Sequence, residues 1–120
     1  MNKFTFRLKD RMKLTVEKVS PRVCLFVVSG KNTYTFRISS KKAKEVVSAF
    51  KTVGSIPEIK IRVDLDGNMS TGVLRFQCIK DNEYELLVFC DGGRKILDTT
   101  FNKKFLKKMY KTMEEVFEIG

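Results

Sequence analysis

Seven basic residues lie in short stretches where hydrophobic and polar side chains alternate. They are Arg7, Lys9, Lys13, Arg37, Lys60, Arg62 and Arg75. Alternation with a period of two is typical of a β-strand covered on one face, and it puts these cations on the uncovered face. Cations spaced along a sheet can follow the phosphates of an extended nucleic-acid strand. We therefore expect these seven residues to be phosphate contacts.

An aromatic side chain among such cations could stack on an unpaired base, and Phe26 is the candidate. It lies in the run Arg22 to Val28, which is hydrophobic at nearly every position. Either Val23/Leu25/Val27 or Cys24/Phe26/Val28 must therefore face away from the covering helix. For Phe26, stacking on a base and burial at a dimer contact both remain open at this point.

Few residues could support catalysis or hold a metal ion. The chain has no histidine, and it has no glycine-rich phosphate loop or nucleophile motif. Asp64-Leu65-Asp66-Gly67-Asn68 resembles the start of a calcium loop, but the twelfth position of that loop needs an acidic ligand and is Arg75. We interpret Asp66-Gly67-Asn68 as a hairpin turn, and we predict neither an enzyme nor a metal or cofactor site.

The cysteines and the N-terminal sequence both bear on location. Cys24, Cys78 and Cys90 are odd in number and far apart, which favours reduced core thiols over disulfides or metal ligands. Residues 1–7 alternate in hydrophobicity and resemble neither a secretory signal nor a membrane span. We expect an intracellular protein of the cytoplasm or nucleus that is not secreted and does not insert stably into a membrane.

The formal net charge of +10 is unevenly distributed. Residues 1–62 hold fifteen Lys and Arg against four Asp and Glu, whereas residues 63–120 hold nine against ten. A basic field of this kind attracts phosphate polymers or anionic lipids. We expect the first half to supply most of the contact charge.

The first half predicts four strands and a helix. Residues 4–16 alternate around a turn at Lys9-Asp10-Arg11, and Ser29-Gly30-Lys31-Asn32 joins two further strands. Ser39 or Ser40 can cap a helix whose apolar residues recur at helical spacing up to Gly54 and Pro57. These apolar residues are Ala43, Val46, Val47 and Phe50.

The second half repeats this pattern. Hydrophobic runs beginning at Ile59, Val73, Tyr84 and Arg94 are separated by turn residues. Asn102 can cap an amphipathic helix that carries Phe105 and Met109 on its apolar side. Its outer face holds a basic stripe, suited to phosphate or lipid headgroups but interpreted as a solvated surface. The stripe consists of Lys103, Lys104, Lys107, Lys108 and Lys111.

A shift of 62 residues superimposes features of the two halves, placing Gly30 on Gly92 and Ala43 on Phe105. The pattern predicts an α+β fold of two tandem ββββα repeats, with antiparallel sheets packed with two helices. About 60 residues bury too little surface to be stable alone. We therefore expect one domain, 1–120, made of pseudo-repeats at about 1–55 and 56–120.

The segment Tyr84-Glu85-Leu86-Leu87-Val88, followed by Gly93-Arg94-Lys95-Ile96-Leu97 and Phe105-Leu106-Lys107-Lys108-Met109, resembles the positive cofactor four type of transcriptional coactivator. The tandem ββββα organisation is similar to the Whirly and Pur-alpha proteins. In these families two such units combine to bind single-stranded DNA or RNA. The resemblance implies a nucleic-acid groove along the sheet.

These patterns favour a non-catalytic protein that binds single-stranded nucleic acid on a basic sheet face and can form a homodimer. One alternative is a pleckstrin-like module that binds anionic membranes or phosphoinositides, although the helix at residues 40–52 interrupts the strands that such a barrel needs. Another is a protein-interaction adaptor whose charge maintains solubility.

Overall fold

The computed structural model describes residues 2–65, 71–90 and 92–119. Its eight strands are β1 (Lys3–Arg7), β2 (Lys13–Ser20), β3 (Val23–Ser29), β4 (Thr33–Ser39), β5 (Glu58–Leu65), β6 (Thr71–Lys80), β7 (Glu83–Cys90) and β8 (Arg94–Phe101). The helices are α1 (Ser40–Thr52) and α2 (Lys103–Val116), and Lys9–Arg11 form a 3-10 turn. The expected turn at Asp66-Gly67-Asn68 lies outside the described residues.

Each strand pairs antiparallel with the next, so the sheet order follows the chain from β1 to β8. The junction between β4 and β5 is short and consists of the pairs Phe36–Leu65 and Arg37–Asp64. Two four-stranded meanders, each followed by a helix, are therefore joined edge to edge. This confirms the α+β fold and its two ββββα units, which we call the first unit (β1 to α1) and the second unit (β5 to α2).

Both helices begin at a side-chain cap. The Ser39 hydroxyl accepts a hydrogen bond from the Lys42 backbone N–H at 3.0 Å, and the Asn102 side-chain oxygen accepts one from the Phe105 N–H at 2.8 Å. Such caps satisfy backbone donors that have no partner inside the helix. The first turns of both helices lack acidic residues.

The helices lie on the same face of the sheet, and each reaches the strands of the other unit. Phe50 of α1 packs against Phe76 of β6, with ring centroids 4.2 Å apart. Phe117, at the end of α2, packs against Phe26 of β3 at 5.5 Å. One hydrophobic cluster contains residues from both units. That the units cannot fold separately remains a prediction, and this exchange of helix contacts is its physical basis.

The shift of 62 residues is wrong in detail, because the two units have connections of different length. Bulges at Lys18/Ser20 and Cys78/Lys80 put β2 and β3 60 residues before β6 and β7. The caps Ser39 and Asn102 are 63 residues apart. In the first strands the pairs Phe6–Leu14 and Ile61–Leu74 correspond, which is a shift of 55. Buried positions coincide when these three shifts are used.

The cysteines are not bridged by disulfides. Cys24 and Cys90 are buried, and Cys78 is half-buried. Burial raises the pKa of the Cys24 thiol, which keeps it protonated and unreactive at neutral pH.

Candidate functional site

The face of the sheet opposite the helices, here called the open face, carries most of the expected cations. Six of them project from this face, because they alternate with buried core residues along their strands. They are Arg7, Lys13, Arg37, Lys60, Arg62 and Arg75.

The structure brings three of these cations together in the second unit. Lys60 of β5 pairs in register with Arg75 of β6, and Arg62 pairs with Val73. With Phe89 of β7, which is opposite Val73, they line a groove of about 550 Å³. Phe89 is half-buried, so part of its ring is accessible. A cationic groove with an aromatic wall can bind a phosphate and an unpaired base together.

Glu58 neutralises part of this groove. Its carboxylate lies 2.5 Å from Arg75 Nε and 3.6 Å from Lys60 Nζ. The hydrogen bond from Arg75 is the largest cause that lowers the pKa of Glu58 below its ordinary value. Arg62 has no ion-pair partner among the described residues. Arg62 is therefore the groove cation most available to a phosphate.

Polar and acidic side chains border the groove on the same face. Gln77 donates a hydrogen bond to Glu85 at 2.8 Å, and Lys95 pairs with Asp98 at 2.9 Å. Carboxylates repel phosphates but accept hydrogen bonds from the amino groups of bases. The border therefore confines phosphate binding to the part of the face around Arg62.

The first unit presents its open-face cations differently. Arg7 and Lys13 are cross-strand neighbours at the end of the β1–β2 hairpin. Arg37 lies apart from them, in a row between Leu25 and Asp64. The remaining basic residues of this half are mostly on α1 and in turns. The charge excess of the first half is therefore not concentrated on the open face.

The prediction that Phe26 stacks on a base is wrong. Phe26 is 1% exposed and packs against Phe117 under the helices. The other set of β3, Val23, Leu25 and Val27, faces the open side. Sequence reasoning missed Phe89, although alternation in β7 places it opposite buried Tyr84 and on the face of Glu85.

Lys9 also differs from expectation. It lies in the 3-10 turn and not on a strand face, because Asp10 and Arg11 have positive φ values of 56° and 62° and reverse the chain there. Lys9 Nζ donates a hydrogen bond to the Thr100 hydroxyl of β8. It therefore joins the two units at the edge of the sheet instead of contributing to the groove.

The basic stripe on α2 is a separate surface. All five of its lysines are exposed, and Lys108 Nζ lies 5.9 Å from the Phe4 ring centroid. The stripe is on the helix side of the sheet, whereas the groove is on the open face. A ligand of the groove and a ligand of the stripe would therefore occupy different surfaces.

Comparison with protein-family models, with curated proteins and with solved structures finds no match. Among the described residues, no group of three His, Cys, Asp or Glu side chains is placed to hold a metal ion. Neither helix within the described ranges has the length and hydrophobicity needed to cross a membrane. The functional argument rests on the geometry of the groove.

Proposed function

We propose that the protein binds single-stranded DNA or RNA, without catalysis, in the groove formed by Lys60, Arg62, Arg75 and Phe89. The observation that carries this proposal is the convergence of three cations on one accessible aromatic ring. The organisation into two ββββα units supports a relationship to the Whirly and Pur-alpha proteins. An intracellular location is part of the same proposal.

In the proposed complex, a base stacks on Phe89 and the adjoining phosphates lie against Arg62 and Lys60. The guanidinium of Arg62 can donate two parallel hydrogen bonds to a phosphate. Arg75 contributes less, because Glu58 already accepts a hydrogen bond from it. Stacking tolerates any base, so affinity depends little on sequence.

The groove favours an unpaired strand over a duplex. A base must leave its stack to contact Phe89, and within a duplex this costs a few kcal/mol per base. The groove is formed by side chains on the surface of a sheet, and among the described residues no helix projects from the open face to enter a major groove. Equal-length single strands should therefore bind more tightly than duplexes.

Fluorescence anisotropy with a labelled, unstructured oligonucleotide tests the proposal. Stacking contributes about 1–3 kcal/mol per base, so Phe89→Leu should weaken binding by roughly ten-fold. Phe101→Leu is the matched control, because Phe101 is also half-buried but lies at the far end of β8. Equal losses in both variants, or duplex binding as tight as single-strand binding, would contradict the proposal.

The exposed lysines of α2 favour a second candidate function, binding to anionic membranes or phosphoinositides. Sedimentation with phosphatidylserine-containing vesicles tests it directly. Binding lost in Lys104→Gln/Lys108→Gln but retained in Arg62→Gln would identify the stripe as the functional surface.

A further inference from the structure

Strand β3 is hydrophobic on both faces. Cys24, Phe26 and Val28 are buried beneath the helices, while Val23, Leu25 and Val27 are half-buried on the open face. A continuous hydrophobic run is typical of a strand that is covered on both sides. Within the described chain the helices cover only one side.

The fold itself does not require this second hydrophobic face. Strand β7 occupies the same place in the second unit, and the residues corresponding to Val23 and Leu25 are Glu83 and Glu85. The row Thr5, Thr15, Val27 and Thr35 beside Leu25 is also uncharged. The open face of the first unit is therefore a smooth surface of small and aliphatic side chains.

Two opposite charges flank Leu25 symmetrically. Glu17 of β2 and Arg37 of β4 are its direct cross-strand neighbours, so the row reads Glu17–Leu25–Arg37. Glu17 is half-buried and has no hydrogen-bond or ion-pair partner among the described residues. A row with an acid on one side and a base on the other is complementary to itself.

We propose that the protein forms a homodimer in which the open faces of two first units stack on each other. A two-fold axis runs along β3, midway between the stacked sheets. This axis places β2 of one copy over β4 of the other, so Glu17 faces Arg37 of the partner subunit twice, and Leu25 packs at the centre. Stacked sheets lie about 10 Å apart, a gap that these long side chains can span.

A second copy explains this face better than nucleic acid does. The face has no aromatic side chain for base stacking, and Glu17 repels phosphates. Only a second copy supplies both an arginine for Glu17 and an acid for Arg37 in the same row. The dimer leaves the groove of each second unit open, so the proposal stands apart from the proposed function and is tested without nucleic acid.

The size of the face sets the expected strength. Four strands spaced about 4.8 Å apart, each with about seven residues at 3.3 Å, give a face of roughly 450 Å² per copy. Interfaces of this size belong to the weak class. We expect dissociation in the micromolar range and a closed dimer with no larger assembly.

Sedimentation velocity of the full chain from about 5 to 200 µM is the first test. The wild type should pass from monomer to dimer, and Leu25→Lys should remain monomeric. Leu87→Lys is the matched control, because Leu87 is a half-buried leucine on the open face of the second unit. A monomeric wild type, a dimeric Leu25→Lys variant or growth beyond a dimer would overturn the proposal.

Charge reversal provides a second test that needs no change in the hydrophobic residues. Glu17→Arg and Arg37→Glu each place like charges opposite one another in the dimer, so each variant alone should be monomeric. Mixed together, the two variants present opposite charges at both contacts and should form a heterodimer. A mixture that stays monomeric, while both variants melt like the wild type, would refute the proposed axis.

Discussion

The two units share a backbone and a buried face but differ on the open face. The row Thr5–Thr15–Val27–Thr35 of the first unit corresponds to Lys60–Arg75–Leu87–Asp98 of the second. The buried residues Leu14 and Phe26 correspond to Leu74 and Leu86, which are equally hydrophobic. Packing constrains the buried face in both units. The open face carries no such constraint, so its differences indicate function.

The largest expected effect concerns the buried face. Phe50→Ala removes a ring that packs on the second unit, and loss of a buried Phe costs about 3–5 kcal/mol. Phe89→Ala, on the open face, should cost about 1 kcal/mol, because the ring is already partly exposed. Chemical denaturation monitored by circular dichroism measures both.

Both variants should unfold in one transition, because each helix packs on both units. Residues 1–55 expressed alone should be insoluble or disordered. A well-dispersed NMR spectrum from this monomeric fragment, or two separate transitions in the full chain, would show that the units are independent.

The next effect sharpens the comparison of the two open faces. Lys60→Gln/Arg62→Gln should weaken single-strand binding by at least ten-fold, since hydrogen bonds to charged groups contribute about 1.5–3 kcal/mol each. The salt dependence should flatten by roughly 0.7 for each lost phosphate contact. The measurement is anisotropy at several salt concentrations.

The matched variant is Arg7→Gln, because Arg7 occupies the position of Arg62 in the first unit. It should change affinity by less than about two-fold, since no accessible aromatic ring lies beside it on the open face. If Arg7→Gln weakens binding as much as the double variant does, the ligand crosses both units. In that case the comparison of the open faces loses its functional meaning.

The element order, the strand alternation and the caps were predictable because short-range rules determine them. Ser39 and Asn102, for example, precede runs with helical spacing. The orientation of Phe26 was not predictable, because β3 is hydrophobic on both faces and alternation cannot distinguish them. The convergence on Phe89 depends on register across three strands, and the unequal connections between the units conceal that register from a single shift of the sequence.

A smaller effect should come from the acid inside the groove. Glu58→Gln removes the partner of Arg75 and Lys60, so both cations become available and single-strand affinity should rise about two- to three-fold. Glu45→Gln is the control: Glu45 also pairs with a lysine, Lys42, but lies on α1. Unchanged or reduced affinity in Glu58→Gln would mean that Arg75 does not contact the ligand.

The same carboxylate determines the pH dependence of binding. The pKa of Glu58 is lowered, so the group stays ionised as the pH falls from 7 to about 5, and its ion pairs are lost only when the pH passes through the lowered pKa. Affinity should therefore be flat between pH 7 and about 5 and should rise only at lower pH. A rise that begins near pH 6 would show that another group controls the groove.

The smallest expected effect compares the two helices and separates the groove from the lysine stripe. Lys41 and Lys104 are exposed in the first turns of α1 and α2, where the helix dipole disfavours positive charge. Lys41→Glu and Lys104→Glu should each stabilise the protein by about 0.3–1 kcal/mol at low salt, an effect that thermal unfolding can measure. Because neither residue lines the groove, single-strand affinity should change by less than about two-fold in both variants at 0.15 M salt, where a Debye length of about 8 Å screens distant charges. A much larger loss in Lys104→Glu than in Lys41→Glu would place the polyanion on α2, and the open face of the second unit would then not be the binding surface.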